Sequence, residues 1–187
     1  MKLKLLTICL FFLVSIPVFS QQFELSTIFS KIKYKDETDV KEFNKKIKSV
    51  YPLKGLDVIL NYKYENSFNE LCRKIDGLIL RVEEILDMHP VAFKINIKIF
   101  SSKKDMEKYF LKEFGYRKKD LIAFYVPAKN TIYVRIDKIN EHILAHEIAH
   151  AVINRNFLIK PSEKIQELLC HYVDINLKKT HPENVPY

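Results

Sequence analysis

The chain has 187 residues, of which 48% are hydrophobic, and it carries a formal net charge of +8 with only three glycines. This length predicts one domain with a substantial core rather than two domains. So few glycines exclude a glycine-rich phosphate-binding loop. The lysines are spread along the sequence instead of forming a basic run interleaved with aromatic residues, so we expect no nucleic-acid partner.

The first 20 residues have the pattern of a secretory signal peptide. Lys2 and Lys4 form a basic start, Leu5–Phe19 is apolar, and Ser20 is small enough for a cleavage site. The apolar run is shorter than the roughly 18 residues that a membrane-spanning helix needs, and no later run reaches that length. The sequence therefore predicts a secreted or periplasmic protein with no transmembrane segment after cleavage. An uncleaved N-terminal anchor is the alternative.

Two cysteines, Cys72 and Cys170, remain after the leader is removed. An oxidising compartment would permit them to form a disulfide. Both lie among apolar neighbours on predicted helices, so two buried free thiols are the other interpretation.

Hydrophobic periodicity divides the rest of the chain into alternating helices and strands. In chain order it predicts a helix over about 38–50, a strand in 56–64, a helix over 67–88, a strand over 93–99, a helix over 103–114, two strands in 121–136 joined by a turn at 127–130, and helices that begin near Asn140 and Ser162. This order is typical of an α+β fold with a mixed, mostly antiparallel-edged sheet backed by helices.

The segment His146-Glu147-Ile148-Ala149-His150 is an H-E-x-x-H motif in the middle of the helix that begins at Asn140. Residues four apart share one helix face, so His146 and His150 can bind the same zinc ion. A catalytic zinc uses three protein ligands and leaves a position for water. Glu147 lies beside both histidines and is the candidate general base for that water.

The third ligand is not another histidine of an elongated motif, since that motif would need glycine at 153 and histidine at 156, where this chain has Ile153 and Asn156. The next predicted helix instead presents a polar stripe, formed by Glu163, Glu167, His171 and Asp174.

Within this stripe Glu167 is favoured. An acid at Glu163 is explained by the helix dipole alone, whereas Glu167 lies in the second turn of a helix that can return antiparallel to the first. Asp174, His171 and Glu163 remain alternatives. The other side of the helix is expected to pack on the core through Ile165, Leu168, Leu169 and Val173.

The sequences HEIAH and ELLCHYV together resemble the gluzincin metallopeptidases, in which a glutamate on the second helix completes the zinc site. The order of elements resembles the small members, the minigluzincins, over roughly 55–178. The resemblance implies a zincin-type active-site helix followed by a glutamate helix, a metallopeptidase domain over 55–187 and one Zn²⁺ held by His146, His150 and Glu167.

The resemblance also implies how substrate binds, since the strand before the active-site helix, Thr131–Ile136, would be an edge strand that pairs with an extended peptide. Residues 21–54 lie outside it and form an N-terminal extension, for which an inhibitory pro-segment is one interpretation. Many members carry an acid four residues after the ligand glutamate to orient a zinc histidine. This chain has His171 there, which leaves Asp174 as the candidate for that role.

The sequence therefore predicts a secreted zinc metallopeptidase that hydrolyses peptide or protein substrates by a metal-activated water, with Glu147 as general base. The alternatives are a secreted binding or interaction module with a structural or inactive zinc site, and a metal hydrolase acting on a substrate that is not a peptide. No role is assigned to the remaining candidates, and Tyr172 is expected to be buried; the other unassigned residues are His89, His142 and His181.

Overall fold

The computed structural model of the chain describes residues 22–48, 51 and 67–179. Across these residues it is an α+β fold with a five-stranded mixed sheet and five α-helices, which confirms the predicted fold class. The strands are β1 (Phe23–Ser26), β2 (Ser30–Tyr34), β3 (Ile95–Phe100), β4 (Ala123–Val126) and β5 (Thr131–Arg135). The helices are α1 (Glu37–Lys46), α2 (Ser67–Leu86), α3 (Lys103–Phe114), α4 (Glu141–Asn156) and α5 (Glu163–Lys179). The predicted leader, the strand in 56–64 and His181 lie outside the described residues.

The sheet has the strand order β1-β2-β3-β5-β4. β3 is parallel to both β2 and β5, whereas the outer pairs β1–β2 and β4–β5 are antiparallel. The sheet is therefore mixed with antiparallel edges, as the sequence predicts. β5 lies between β3 and β4, so the expectation that Thr131–Ile136 forms an edge strand is wrong. β4 and β5 form a hairpin, and β3 pairs with the other side of β5, so β4 is the strand that lies at the edge.

The main core lies on one face of the sheet, beneath α1, α2, α4 and α5. Ile32, Ile97 and Ile132 form a row across the three central strands and are fully buried. Because alternate residues of a strand point to opposite faces, the intervening lysines of β2 and β3 lie on the other face. A second aromatic cluster on that face is covered by α3, and it consists of Phe100, Met106, Phe110, Leu121 and Tyr133.

The strands β1 and β2 are absent from the sequence prediction, and they lie within the segment interpreted as an extension. Each is five residues or shorter, and β2 alternates lysine with Ile32 and Tyr34, a weak pattern. β2 nevertheless pairs with β3 at the centre of the sheet, and α1 packs on α2. The strands and the helix before residue 54 therefore belong to the same sheet and core as the elements after it.

Both cysteines on the described helices are free and buried, Cys72 on α2 and Cys170 on α5. Burial, together with the nearby Asp76 carboxylate, raises the pKa of the Cys72 thiol to about 12. The second of the two interpretations, buried free thiols, therefore describes the structure. In the described part of the chain, none of the helices combines the length and the apolar sequence needed to cross a bilayer.

Candidate metal centre

Helix α4 holds the H-E-x-x-H motif as the sequence predicts. The Asn140 side chain accepts a hydrogen bond from the backbone N–H of Ile143, which caps the first turn. The side of α4 that includes Leu144 and Ile148 is buried in the main core. His146 and His150 are half-buried, with ring centroids 5.1 Å apart, at the place where α4 packs against α5.

Glu167 on α5 meets both histidines. Its Oε2 lies 3.5 Å from Nε2 of His146, and its Oε1 lies 3.3 Å from Nε2 of His150. Two donor atoms on one tetrahedral zinc, each bound at about 2.0–2.2 Å, lie about 3.3–3.6 Å apart. Each Glu167 oxygen therefore lies at the distance from its histidine that two ligands of one zinc ion would have, and all three side chains are of types that bind zinc. Burial lowers the pKa of His150, which favours the neutral imidazole that binds metals, although Glu167 opposes this shift.

Asp174 holds His146 from the other side of the ring. Its Oδ2 lies 3.1 Å from Nδ1 of His146 and 3.6 Å from Nδ1 of His171. A carboxylate accepts a hydrogen bond from Nδ1–H, so this contact favours the tautomer whose lone pair is on Nε2, facing Glu167. The acid that contacts Nδ1 of His146 is thus Asp174, one turn beyond the position where the resemblance expects an acid.

The residues named as alternatives for the third ligand differ in their exposure and in how closely they approach the two histidines. Glu163 is exposed in the first turn of α5, and the His171 side chain is 67% exposed, although its ring is 5.7 Å from that of His146. Asp174 faces Nδ1 rather than Nε2. Glu167 is therefore the acid on α5 that approaches both motif histidines through their Nε2 atoms.

Sequence reasoning missed Cys170 as a potential donor. It follows Glu167 by three residues on α5, and a donor set of His146, His150 and Cys170 has all its ligand atoms within 4.8 Å of one another. The spacing i, i+3 from Glu167 could have shown that the two share a helix face. Burial raises the pKa of Cys170, and the neighbouring carboxylates of Glu167, Glu147 and Asp174 raise it further, so without a metal ion the thiol is protonated.

Glu147 points into a cavity of about 320 Å³ whose lining also includes His142, Ile143, His146 and Asp174. Burial raises the pKa of Glu147 to about 7, against the opposing effects of His146 and of a hydrogen bond from the backbone of Tyr125. A carboxylate with this pKa can both accept and release a proton near neutral pH. A larger cavity of about 650 Å³ opens beside α3, but His146, His150 and Glu167 are not part of its lining.

Glu147 also reaches the edge of the sheet, because Tyr125, whose backbone forms a hydrogen bond to Glu147, belongs to the edge strand β4. The Tyr125 hydroxyl accepts a hydrogen bond from Asn154 of α4, at 3.3 Å. α4 and β4 therefore lie beside each other, and the side of β4 that pairs with no strand of the described residues lies next to Glu147.

His142, to which the sequence assigns no role, lines the cavity beside Glu147 with a buried Nδ1 that has no hydrogen-bond partner. Tyr172 is 52% exposed, so the expectation that it is buried is wrong. The other unassigned histidine in the described residues, His89, is exposed and lies 3.6 Å from Glu83, away from the site. Comparison of the chain with protein-family models, with curated proteins and with solved structures finds no match.

Proposed function

We propose that the protein is a zinc metallopeptidase whose metal ligands are His146, His150 and Glu167. The observation that supports this most directly is the approach of the two Glu167 oxygens to the two rings. Oε2 lies 3.5 Å from Nε2 of His146, and Oε1 lies 3.3 Å from Nε2 of His150. The resemblance of the paired motifs to gluzincins points to the same three side chains. The predicted leader makes export part of the proposal, and it implies a secreted or periplasmic enzyme.

Zinc, when bound here, supplies a Lewis acid that polarises a carbonyl and makes water easier to deprotonate. Glu147 accepts the proton of the attacking water at its carboxylate and passes it to the leaving nitrogen. Its partial burial matches this role, because a desolvated carboxylate binds a proton more readily than an exposed one. Asp174 orients His146, and the cavity of about 320 Å³ provides room for the reacting group.

Substrate pairing is assigned to β4 instead of β5. An extended peptide pairs with a strand edge that no other strand occupies, and among the described strands β4 has such an edge at this end of the sheet. Because Tyr125 of β4 lies beside Glu147, a peptide paired there would pass the candidate base. The substrate class is therefore an extended peptide or protein segment.

The competing function is a binding module with a structural zinc. A structural site is closed by a fourth protein ligand, and the candidates are Asp174 and His171. Asp174 contacts Nδ1 of His146 through Oδ2, and it also forms with His146 and His171 a group whose ligand atoms all lie within 4.8 Å of one another, although the His171 side chain is two-thirds exposed. A closed structural site does not require a half-buried carboxylate that lines a cavity, so Glu147 favours the hydrolytic function.

Zinc content tests the ligand set. We expect one zinc per chain in the purified protein, near-complete loss in Glu167→Gln, and retention in the matched variant Glu163→Gln, whose acid is exposed on the same helix. Cys170→Ala should also retain the metal. The measurement is elemental analysis after dialysis, with a peptide-library cleavage screen on the same samples. Loss of zinc in Cys170→Ala but not in Glu167→Gln would replace Glu167 as the ligand, and one zinc without cleavage would favour the binding module.

Asp174→Asn is expected to weaken zinc binding by about 10- to 100-fold, because the amide holds Nδ1 of His146 less firmly than the carboxylate does. The measurement is competition with a coloured chelator. Asp87→Asn, an exposed acid beyond the end of α2, is the control and should leave the affinity unchanged. Equal affinities in the two variants would contradict the orienting role of Asp174.

A further inference from the structure

Large apolar side chains are exposed together on α5 and on the loop before it. Seven of the ten large hydrophobic residues exposed in the described chain lie here. Leu158 and Ile159 have relative exposures of 105% and 86%, so they project from the surface. Soluble proteins rarely expose contiguous apolar patches of this kind unless they bind something. We name this surface the apolar ridge, and it comprises Phe157, Leu158, Ile159, Ile165, Leu168, Tyr172 and Ile175.

The helical part of the ridge is a single face of α5. Its four members, from Ile165 to Ile175, follow one another at spacings of three, four and three residues, which places them on one side of a helix. The buried side of the same helix is formed by Cys170, Val173 and Leu177. The ridge therefore differs from the core face of α5, and the expectation that Ile165 and Leu168 pack on the core is wrong.

Basic residues flank the ridge. Arg155, Lys160 and Lys164 are all exposed between the end of α4 and the first turn of α5, where the one acid is Glu163. The chain as a whole has a formal net charge of +8. The partner that binds the ridge should therefore offer an apolar region into which side chains can insert, together with negative charge around it.

A second copy of the chain does not meet that requirement. A two-fold contact buries the same patch of both copies in one interface, so it would double the positive charge there instead of supplying negative charge. The projecting pair Leu158 and Ile159 also forms a convex point, whereas stable protein interfaces are complementary surfaces. An anionic bilayer accepts both features, because apolar side chains enter the interface while lysines contact the headgroups.

We propose that the apolar ridge docks the protein on an anionic membrane surface, with Leu158 and Ile159 inserted and Lys160 and Lys164 at the headgroups. This binding does not depend on zinc or on hydrolysis. Because α5 also carries Glu167, docking would fix the position of the candidate metal centre relative to the bilayer.

Vesicle co-sedimentation tests the proposal with the purified full chain. Phosphatidylcholine vesicles are compared with vesicles that contain phosphatidylserine as well, at low and high salt. We expect the protein to favour the anionic vesicles and the preference to weaken at high salt. The double variant Leu158→Ser/Ile159→Ser should lower the partition coefficient by about tenfold or more. Val91→Ser, an equally exposed apolar residue before β3, is the matched control and should have no effect.

The charge contribution is tested separately. Lys160→Gln and Lys164→Gln should each lower partitioning into the anionic vesicles by about fivefold. All variants share residues 1–21, so any membrane affinity of that segment is common to them. Equal partitioning of the Leu158→Ser/Ile159→Ser and Val91→Ser variants would overturn the proposal. Self-association without vesicles, abolished by the double variant, would assign the ridge to a second copy and overturn it as well.

Discussion

Replacing Glu147 with glutamine is expected to lower peptide hydrolysis by about 10²- to 10⁴-fold while zinc content stays unchanged. Glutamine has nearly the shape of glutamate, so it fills the same place on α4, but it cannot accept the proton of water. The three side chains proposed to bind zinc are untouched by this change, and the metal should therefore remain. The measurement combines turnover of a cleaved peptide with elemental analysis of the same preparation.

The matched control is Glu163→Gln, which removes an exposed carboxylate from α5 without touching the cavity. It should keep turnover within about twofold, since exposed surface changes rarely alter a distant site. Unchanged turnover in Glu147→Gln would remove Glu147 from the role of base. Loss of zinc in that variant would mean that its carboxylate, too, holds the metal.

Removing residues 21–54 is expected to unfold the protein instead of activating it. The deletion takes away β1, β2 and α1, including fully buried side chains at Ile32, Val40, Phe43 and Ile47. Each contributes about 1.5–3 kcal/mol through burial. Their sum is comparable to the whole stability of a typical domain, about 5–15 kcal/mol. Far-ultraviolet circular dichroism and urea denaturation measure the outcome, with deletion of residues 1–20 as the control.

A point substitution in β2 tests whether the packing of this segment, and not only its length, stabilises the protein. Ile32→Ala should lower the free energy of unfolding by about 2–5 kcal/mol, because Ile32 is fully buried between Tyr34 of its own strand and Ile97 of β3. If the protein without residues 21–54 folds and hydrolyses peptides faster, the expectation that this deletion unfolds the protein is contradicted. That result would support the interpretation of residues 21–54 as an inhibitory pro-segment.

The sequence predicts the long elements of this fold because their patterns are strong. The helix over 103–114 is bounded by the Ser102 cap and by Gly115, which adopts φ 77°, and both signals are legible in the sequence. β1 and β2 are not predicted, since β1 has only four residues, β2 alternates lysine with Ile32 and Tyr34, and neither has the apolar run that identifies a buried strand. Their place in the sheet depends on β3, about 60 residues later in the chain.

The candidate site also combines features that follow from local sequence with features that depend on packing between helices. The spacing of His146 and His150 on one helix is a local property, and helical periodicity alone places them together. The choice among the acids of α5 depends on how that helix rotates against α4, which no local pattern fixes. The same rotation buries Val173, exposes Ile165 and Leu168, and turns Asp174 toward His146. Sequence could therefore narrow the third ligand to one helix face but could not separate the core side of α5 from the exposed side.

The central position of β3 has a consequence for how the chain folds. Both of its neighbours are parallel to it, and the register that joins Ile32 to Ile97 closes a segment of about 65 residues. Parallel pairing over such separations slows folding, because chain entropy is lost before the contacts form. The β1–β2 hairpin is available early in synthesis but must wait, with one edge open, until β3 arrives. Folding of the sheet is therefore a late event that requires most of the polypeptide.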